Sequence, residues 1–260
     1  MRHSAGYTLA FATAICVVCG LLVSTSAVSL ADRQKANIAL DKRKNVLLAG
    51  GLIAADEQLT RDQINERFET VKAVAIDLAT GEPADGIDPL TFDQQKEMGN
   101  PATSTTASPN PAQIKRLPNH SIVFQVMGDD GSVKMLVFPV EGKGLWSTLY
   151  GYLALDADLE TIRGLTFYQH GETPGLGGEV DNPLWKSLWP GRKAFDESGE
   201  PVIAVIKGSA GPPSEDPHHV DGLSGATITS RGVTNLLQFW LGEHGFGPYI
   251  EKFRASRPVS

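Results

Sequence analysis

The sequence predicts an α+β protein, an antiparallel sheet with flanking helices, preceded by a single N-terminal transmembrane helix. Three observations carry that expectation. Residues 4–31 hold no charged side chain. From Ser121 onward, apolar runs of strand length alternate with turn residues. After them, Val233, Leu236, Leu237, Trp240 and Leu241 recur at helical spacing, and strands followed by mixed helices are the order of an α+β domain.

The uncharged run comes first. At about 1.5 Å per residue it makes roughly 40 Å of helix, enough to cross a hydrocarbon core of about 30 Å. Arg2 and the "SLA" before Asp32 also fit a cleaved signal peptide. The run is long for that purpose, however, and it flows into the helix-like "DRQKANIALDKRKNVLLAGGL", so a retained anchor is expected over residues 1–32. Arg33, Lys35, Lys42, Arg43 and Lys44 follow the span, whereas only Arg2 and the amino terminus precede it. Counted alone, these charges place the following domain in the cytoplasm. Cys16 and Cys19, the only cysteines, both fall in the apolar run, so neither a disulfide nor a thiolate-held metal is expected beyond it.

Residues 33–114 read as a membrane-proximal helical and linker region. Thr60 is placed to cap a helix carrying Ile64, Phe68 and Val71 on one side, and "VKAVAIDLATGEP" reads as a strand ending in a turn. Residues 82–114 show no sustained period, and "GNPATSTTASPNPAQ" has the composition of a solvated loop. Residues 115–255 form the main domain. "IVFQVMGDDGSVKMLVFPV" is a hairpin signal, two apolar runs around Gly-Asp-Asp-Gly. "LWSTLYGYLALDADLETIRGLTFYQH" supplies two more strands and "PVIAVIKG" another. Ser230, with Thr229 beside it, is expected to cap the last helix, which "GEHGFGP" stops. A formal charge of -7 with no basic face excludes a nucleic-acid partner, and no residue group suggests a metal site.

"DGLSGATITS" poses the chemical question. It crowds Ser224, Thr227, Thr229 and Ser230 together with no His, Cys or Lys among them. A hydroxyl that attacks a substrate needs an activating base, whereas one modified by another enzyme needs only exposure and a recognisable flank. Gly225 and Ala226 keep the backbone open, and Thr227 stands just before free helix amides, a place that suits a phosphate. Asp221 is either part of a recognition signature or an Asx-turn residue. "HGETPGLGG" makes a tight turn at Pro174, Gly175, Gly177 and Gly178, with His170 at a strand end.

These motifs resemble one family. "DGLSGATITS" is similar to the flavin-attachment motif ending in Ser/Thr-Gly-Ala-Thr. "ALDKRKNVLLAGGL", "GKGLWSTLYGYLALDADLETIRGLTFYQHGETPGLGGEV" and "NPLWKSLWPGRK" occur with it in the order found in the NqrC family, a subunit of the sodium-translocating NADH:quinone oxidoreductase. The related flavin-bearing subunit of ion-pumping ferredoxin:NAD oxidoreductases shares the ETPGLG and SGAT elements and is the alternative. A further alternative, of another class, is a periplasmic module that binds a phosphate-bearing ligand reversibly.

The resemblance implies an FMN-binding domain with FMN joined by a phosphoester to Thr227, loaded from FAD by a separate Mg-dependent flavin transferase. It implies a pocket completed by Glu172, Thr173, Leu176, Asp221, Ser224, Gly225 and Ala226. Trp146 either packs near the flavin ring or fills the core, and Lys207 either neutralises the phosphate or stays on the surface. The implied role is electron relay from NADH toward ubiquinone inside an assembly of six subunits that exports Na+. An apolar span without a carboxylate is a poor sodium path. In this family the flavin is attached outside the cytoplasm, which implies a single-pass protein of the bacterial inner membrane with its large domain periplasmic. Long domains translocate largely regardless of flanking charge, so that expectation stands against the charge count.

Overall fold

The structure, a computed structural model, describes residues 4–89 and 91–256; Arg2 lies outside them. Two compact units make up the chain, one ending at Arg43 and the other beginning at Lys44. The first unit belongs to helix α1 (Ala5–Ala49), which is long and apolar enough to cross a membrane and buries none of its apolar window. Ten exposed residues between Tyr7 and Val28, Leu9, Phe11 and Leu22 among them, are large hydrophobics, a surface suited to lipid rather than water.

In the second unit Thr60 caps α2 (Arg61–Phe68) as expected, and a capping box with Gln63 satisfies two orphan backbone donors. Strand β1 (Val71–Asp77) and helix α3 (Gln94–Gly99) follow. Then come β2 (Ser104–Thr105), β3 (Leu117–Pro118), β4 (His120–Met127), β5 (Val133–Lys143), β6 (Thr148–Asp156) and β7 (Ile162–Gln169). A 3-10 turn at Gly177–Asp181 and α4 (Pro183–Lys186) lead to the short strands β8 (Ala204–Val205) and β9 (His219–Val220). Helices α5 (Thr227–Leu241) and α6 (Gly247–Ala255) complete the described chain.

The main sheet is antiparallel in the order β1-β4-β5-β6-β7. Strand alternation puts Leu136, Phe138 and Val140 of β5 and Leu149, Leu153 and Leu155 of β6 on one face. Val233, Leu236, Leu237 and Trp240 of α5 join them in one core cluster, each fully buried apolar side chain contributing about 1.5–3 kcal/mol. The helix is also tied by hydrogen bonds: Trp240 Nε1 donates to the Glu141 carbonyl at 2.7 Å, and Val205 N to Thr234 Oγ1 at 2.9 Å.

The boundary expected at residue 115 does not coincide with a structural division. β1 is an edge strand of the main sheet, and the described residues from Lys44 onward belong to one unit. The polar stretch 99–113 is not simply a solvated loop either, because Ala107 and Ala112 are buried in the core cluster. The stretch also contributes the two-residue β2, and its small side chains let the rest of this aperiodic segment pack around it.

Candidate functional site

The site is built where three loops meet the first turn of α5. Gly225 adopts φ +71°, a left-handed angle that favours glycine, and it turns the chain into the helix. Helix α5 therefore starts at Thr227 with Ala226 as its N-cap and no side-chain cap. Ser230 is the fourth helical residue, and its hydroxyl reaches back to accept from Leu223 N at 3.1 Å. The expectation that Ser230 caps the helix is thus corrected: the glycine-led turn begins the helix about one turn earlier.

The two threonines of this turn have opposite fates. Thr227 is exposed, and its hydroxyl has no hydrogen-bond partner among the described residues. Thr229 is fully buried and donates to Glu172 Oε2 at 2.7 Å. Thr227 lines a cleft of about 600 Å³ together with Lys207, Gly208, Asp221, Ser224, Gly225 and Arg231. Neither Lys207 nor Arg231, both exposed, makes an ion pair or hydrogen bond among the described residues. Sequence reasoning misses Arg231, although its i+4 spacing from Thr227 puts the two on one helix face.

Asp221, half-buried, lines the same cleft. Its Oδ1 accepts from Ala210 N at 2.8 Å and Ser209 Oγ at 3.2 Å, and its carbonyl accepts from Trp185 Nε1 at 2.9 Å. These partners lie far from it in sequence, so the Asx-turn reading is replaced by a brace on the loop that carries Lys207.

Glu172 sits on the other side of the turn, only 5% exposed. Oε1 accepts from Trp146 N at 2.9 Å and Ser147 N at 3.0 Å, while Oε2 accepts from Leu145 N at 3.1 Å and from Thr229. Burial alone would raise this carboxyl, but the Thr229 hydroxyl and the three backbone N–H groups outweigh it and hold it below the usual carboxylate range. With both oxygens engaged by protein donors, Glu172 is a structural anion that ties the 145–147 loop to the first turn of α5. Its own N–H donates to His170 Nδ1 at 3.2 Å, and His170 Nε2 pairs with Asp181 Oδ2 at 2.8 Å.

The turn after Glu172 presses on the helix entry. A Cβ on Gly177 would lie 2.6 Å from Thr229 Oγ1 and 2.7 Å from Glu172 Oε2, so only glycine fits there. Leu176, 44% exposed, stands against Gly225, where an added Cβ would lie 2.9 Å from its Cδ2. Thr173 is exposed, and its carbonyl accepts from Leu176 N and Gly178 N. Trp146 is 66% exposed, which rules out the core reading of its ring. Ala226 is buried and Ser224 exposed. Among the described residues, no group of three His, Cys, Asp or Glu side chains is placed to hold a metal.

The donor set suits FMN. An unpartnered hydroxyl and the first amides of α5 adjoin two cations, while Leu176, Trp146 and Ile228 offer exposed apolar surface nearby.

Comparison with known proteins agrees. Residues 144–242 match the FMN-binding domain family. The chain is 42% identical over 256 residues to the NqrC-type subunit of the Na(+)-translocating NADH-quinone reductase of Yersinia pestis, covering 97% of this chain and 94% of that protein. It is 44% identical over 257 residues to the protein of the same name from Pseudomonas aeruginosa, covering 97% of each. A crystal structure of Shewanella oneidensis NqrC superposes with a TM-score of 0.78 at 38% identity, over 85% of this chain and all of that one. The corresponding reductase subunit from Parabacteroides distasonis gives 0.64 at 28% identity, over 88% of this chain and 98% of that one.

Proposed function

The chain belongs to the NqrC family of Na(+)-translocating NADH-quinone reductase subunits, and from that premise we propose that it carries FMN on Thr227 as a membrane-anchored electron relay. The observation that supports this most is the contrast within one helical turn. Within the first turn of α5, Thr227 combines exposure, an unpartnered hydroxyl and a place on the cationic cleft, whereas Thr229 is buried and engaged; exposed Ser224 shares the cleft but lies before the helix.

Attachment needs an outside base, because no side chain accepts the Thr227 proton among the described residues. A Mg-dependent flavin transferase supplies it: Thr227 Oγ bonds to the flavin-side phosphorus of FAD, the pyrophosphate bond breaks, AMP leaves, and the hydroxyl proton passes to the transferase. Lys207, Arg231 and the first amides of α5 would hold the phosphodiester charge. Thr173, Leu176 and Trp146 would border the ring, and Ser224, Gly225, Ala226 and Asp221 would shape the approach.

FMN supplies one- and two-electron redox chemistry, while the protein sets its position and access. A covalent tether suits a relay that must keep its cofactor through every turnover. In this reading the chain works in an assembly of six subunits that carries electrons from NADH to ubiquinone and couples them to Na+ export. Helix α1 is its single inner-membrane anchor, and the main domain is periplasmic.

The test is flavin fluorescence on a denaturing gel, using full-length protein from a host with active flavin transferase. A fluorescent band is expected, lost in Thr227→Val and kept in Ser224→Ala. A dark wild-type band, or fluorescence that survives Thr227→Val, would overturn the assignment.

A further inference from the structure

Glu172 is held on every side by elements that carry the site. Its carboxylate collects three successive backbone N–H groups, those of Leu145, Trp146 and Ser147, and the hydroxyl of Thr229. Three consecutive amides converging on one anion form a concave nest. The fit around it is close: a Cβ on Gly144 would lie 2.7 Å from Glu172 Oε1, and one on Gly177 2.7 Å from Oε2. The Glu172 backbone is pinned as well, through the His170–Asp181 pair.

The groups held this way lie on three separate segments. The loop 145–147 presents the exposed ring of Trp146, the turn 172–178 presents Leu176, and Thr229 is two residues from Thr227 in the first turn of α5. Among the described residues, the Glu172 carboxylate is what joins the 145–147 loop to the start of α5 by hydrogen bonds. We propose that Glu172 is the positioning residue of the flavin site, setting the Thr227 hydroxyl in register with Trp146 and Leu176 without touching the cofactor. This rests on the reading of Thr227 as the flavin carrier.

An amide cannot take over the role. Oε1 receives the Trp146 and Ser147 amides and, at 3.5 Å, the Ser147 hydroxyl, while Oε2 receives the Leu145 amide and Thr229, so the NH2 of a glutamine must face either Trp146 N and Ser147 N, or Leu145 N and Thr229. The second arrangement is the milder one, because a hydroxyl can turn to accept, but the Leu145 N–H still meets another donor. The 145–147 loop should then lift away from the helix entry. Misplacement on the scale of an ångström can weaken a reaction that depends on alignment by about 100-fold.

The test compares full-length wild type, Glu172→Gln, Thr229→Val, the double variant and the core variant Leu237→Ala, all expressed with the transferase. The first readout is in-gel flavin fluorescence per unit of protein; the second is the visible circular dichroism of the flavin-bearing fraction, which reports the ring's surroundings. Glu172→Gln should lose about tenfold or more of the fluorescence and change the dichroism of what remains. Thr229→Val should move both readouts the same way by less, and it carries the test if Glu172→Gln does not accumulate. The double variant should be no worse than Glu172→Gln, because both act through one contact.

Leu237→Ala should lower the melting temperature and leave both readouts near wild type. The inference is overturned if Glu172→Gln and Thr229→Val match wild type in both readouts, or if Leu237→Ala lowers fluorescence as much at an equal loss of melting temperature. A dark wild-type band is a different result: it removes the flavin reading itself, and this inference with it.

Discussion

Glu141 and Glu172 are buried to nearly the same depth, 6% and 5% exposed, yet their carboxyls shift in opposite directions. Glu141 faces Tyr150 across β5 and β6 and receives no hydrogen bond to its carboxyl among the described residues. Burial pushes it up to about 7, only partly offset by Lys115. At Glu172 burial also pushes upward, but Thr229 and the amides of Ser147, Trp146 and Leu145 outweigh it. Depth sets what a charge loses in leaving water; the donors decide whether it is recovered. One carboxylate is therefore a brace, and the other is a group the fold merely tolerates.

The comparison breaks most visibly at Glu172. Replacing it with Gln should destabilise the protein by about 3 kcal/mol, since buried donors lose an ionised acceptor. Thermal unfolding of detergent-solubilised full-length protein measures this. An unchanged melting temperature would mean that the nest holds without its anion.

Gly177→Ala should come next, at about 2 kcal/mol, because its new methyl must displace the Glu172–Thr229 contact. The same unfolding experiment reads it. A methyl accepted without loss would show that the turn can move away from the helix.

Glu141→Gln should go the other way, stabilising by about 1 kcal/mol at pH 8, where the buried charge is no longer required. The pH profiles sharpen the contrast. Glu141 has a raised folded pKa, so its contribution is full below the unfolded value of about 4.3 and is lost as pH rises through about 7. Glu172 has a depressed one, so its contribution is present above the unfolded value and is lost as pH falls through the folded one. Melting temperatures from pH 4 to pH 8, taken as about the useful range, should fall less steeply between about pH 4.3 and about pH 7 in Glu141→Gln than in wild type.

Lys207→Ala and Arg231→Ala should be the mildest in stability, each within about 0.5 kcal/mol, since neither has a partner to lose. A larger effect on unfolding would show that the cleft is a packed element rather than an open one.

Much of this architecture is legible in local sequence. The Gly-Asp-Asp-Gly hairpin, the β6 and β7 runs and the Thr60 cap all rest on turn chemistry and periodicity acting over a few residues. The site is legible only in part. Ser230 has the composition of a cap, but the φ +71° turn at Gly225 moves the helix start ahead of it. Trp146 is a residue type that usually fills cores, yet its loop turns the ring outward while its amide is spent on Glu172. Asp221 has the composition of a local turn, but its acceptor serves residues 209 and 210. Arg231 becomes readable by helical spacing once Thr227 is placed inside the helix.

The sequence by itself determined the apolar span, the sheet strands, the order of motifs that marks the family, and the short list of hydroxyls around residue 227. Tertiary structure alone decided which of those hydroxyls stay exposed on the cleft and which is locked to a carboxylate 57 residues away. The reason is range. Periodicity, capping and turn preference act between neighbours, whereas burial and hydrogen-bond satisfaction depend on what distant segments bring to the same place.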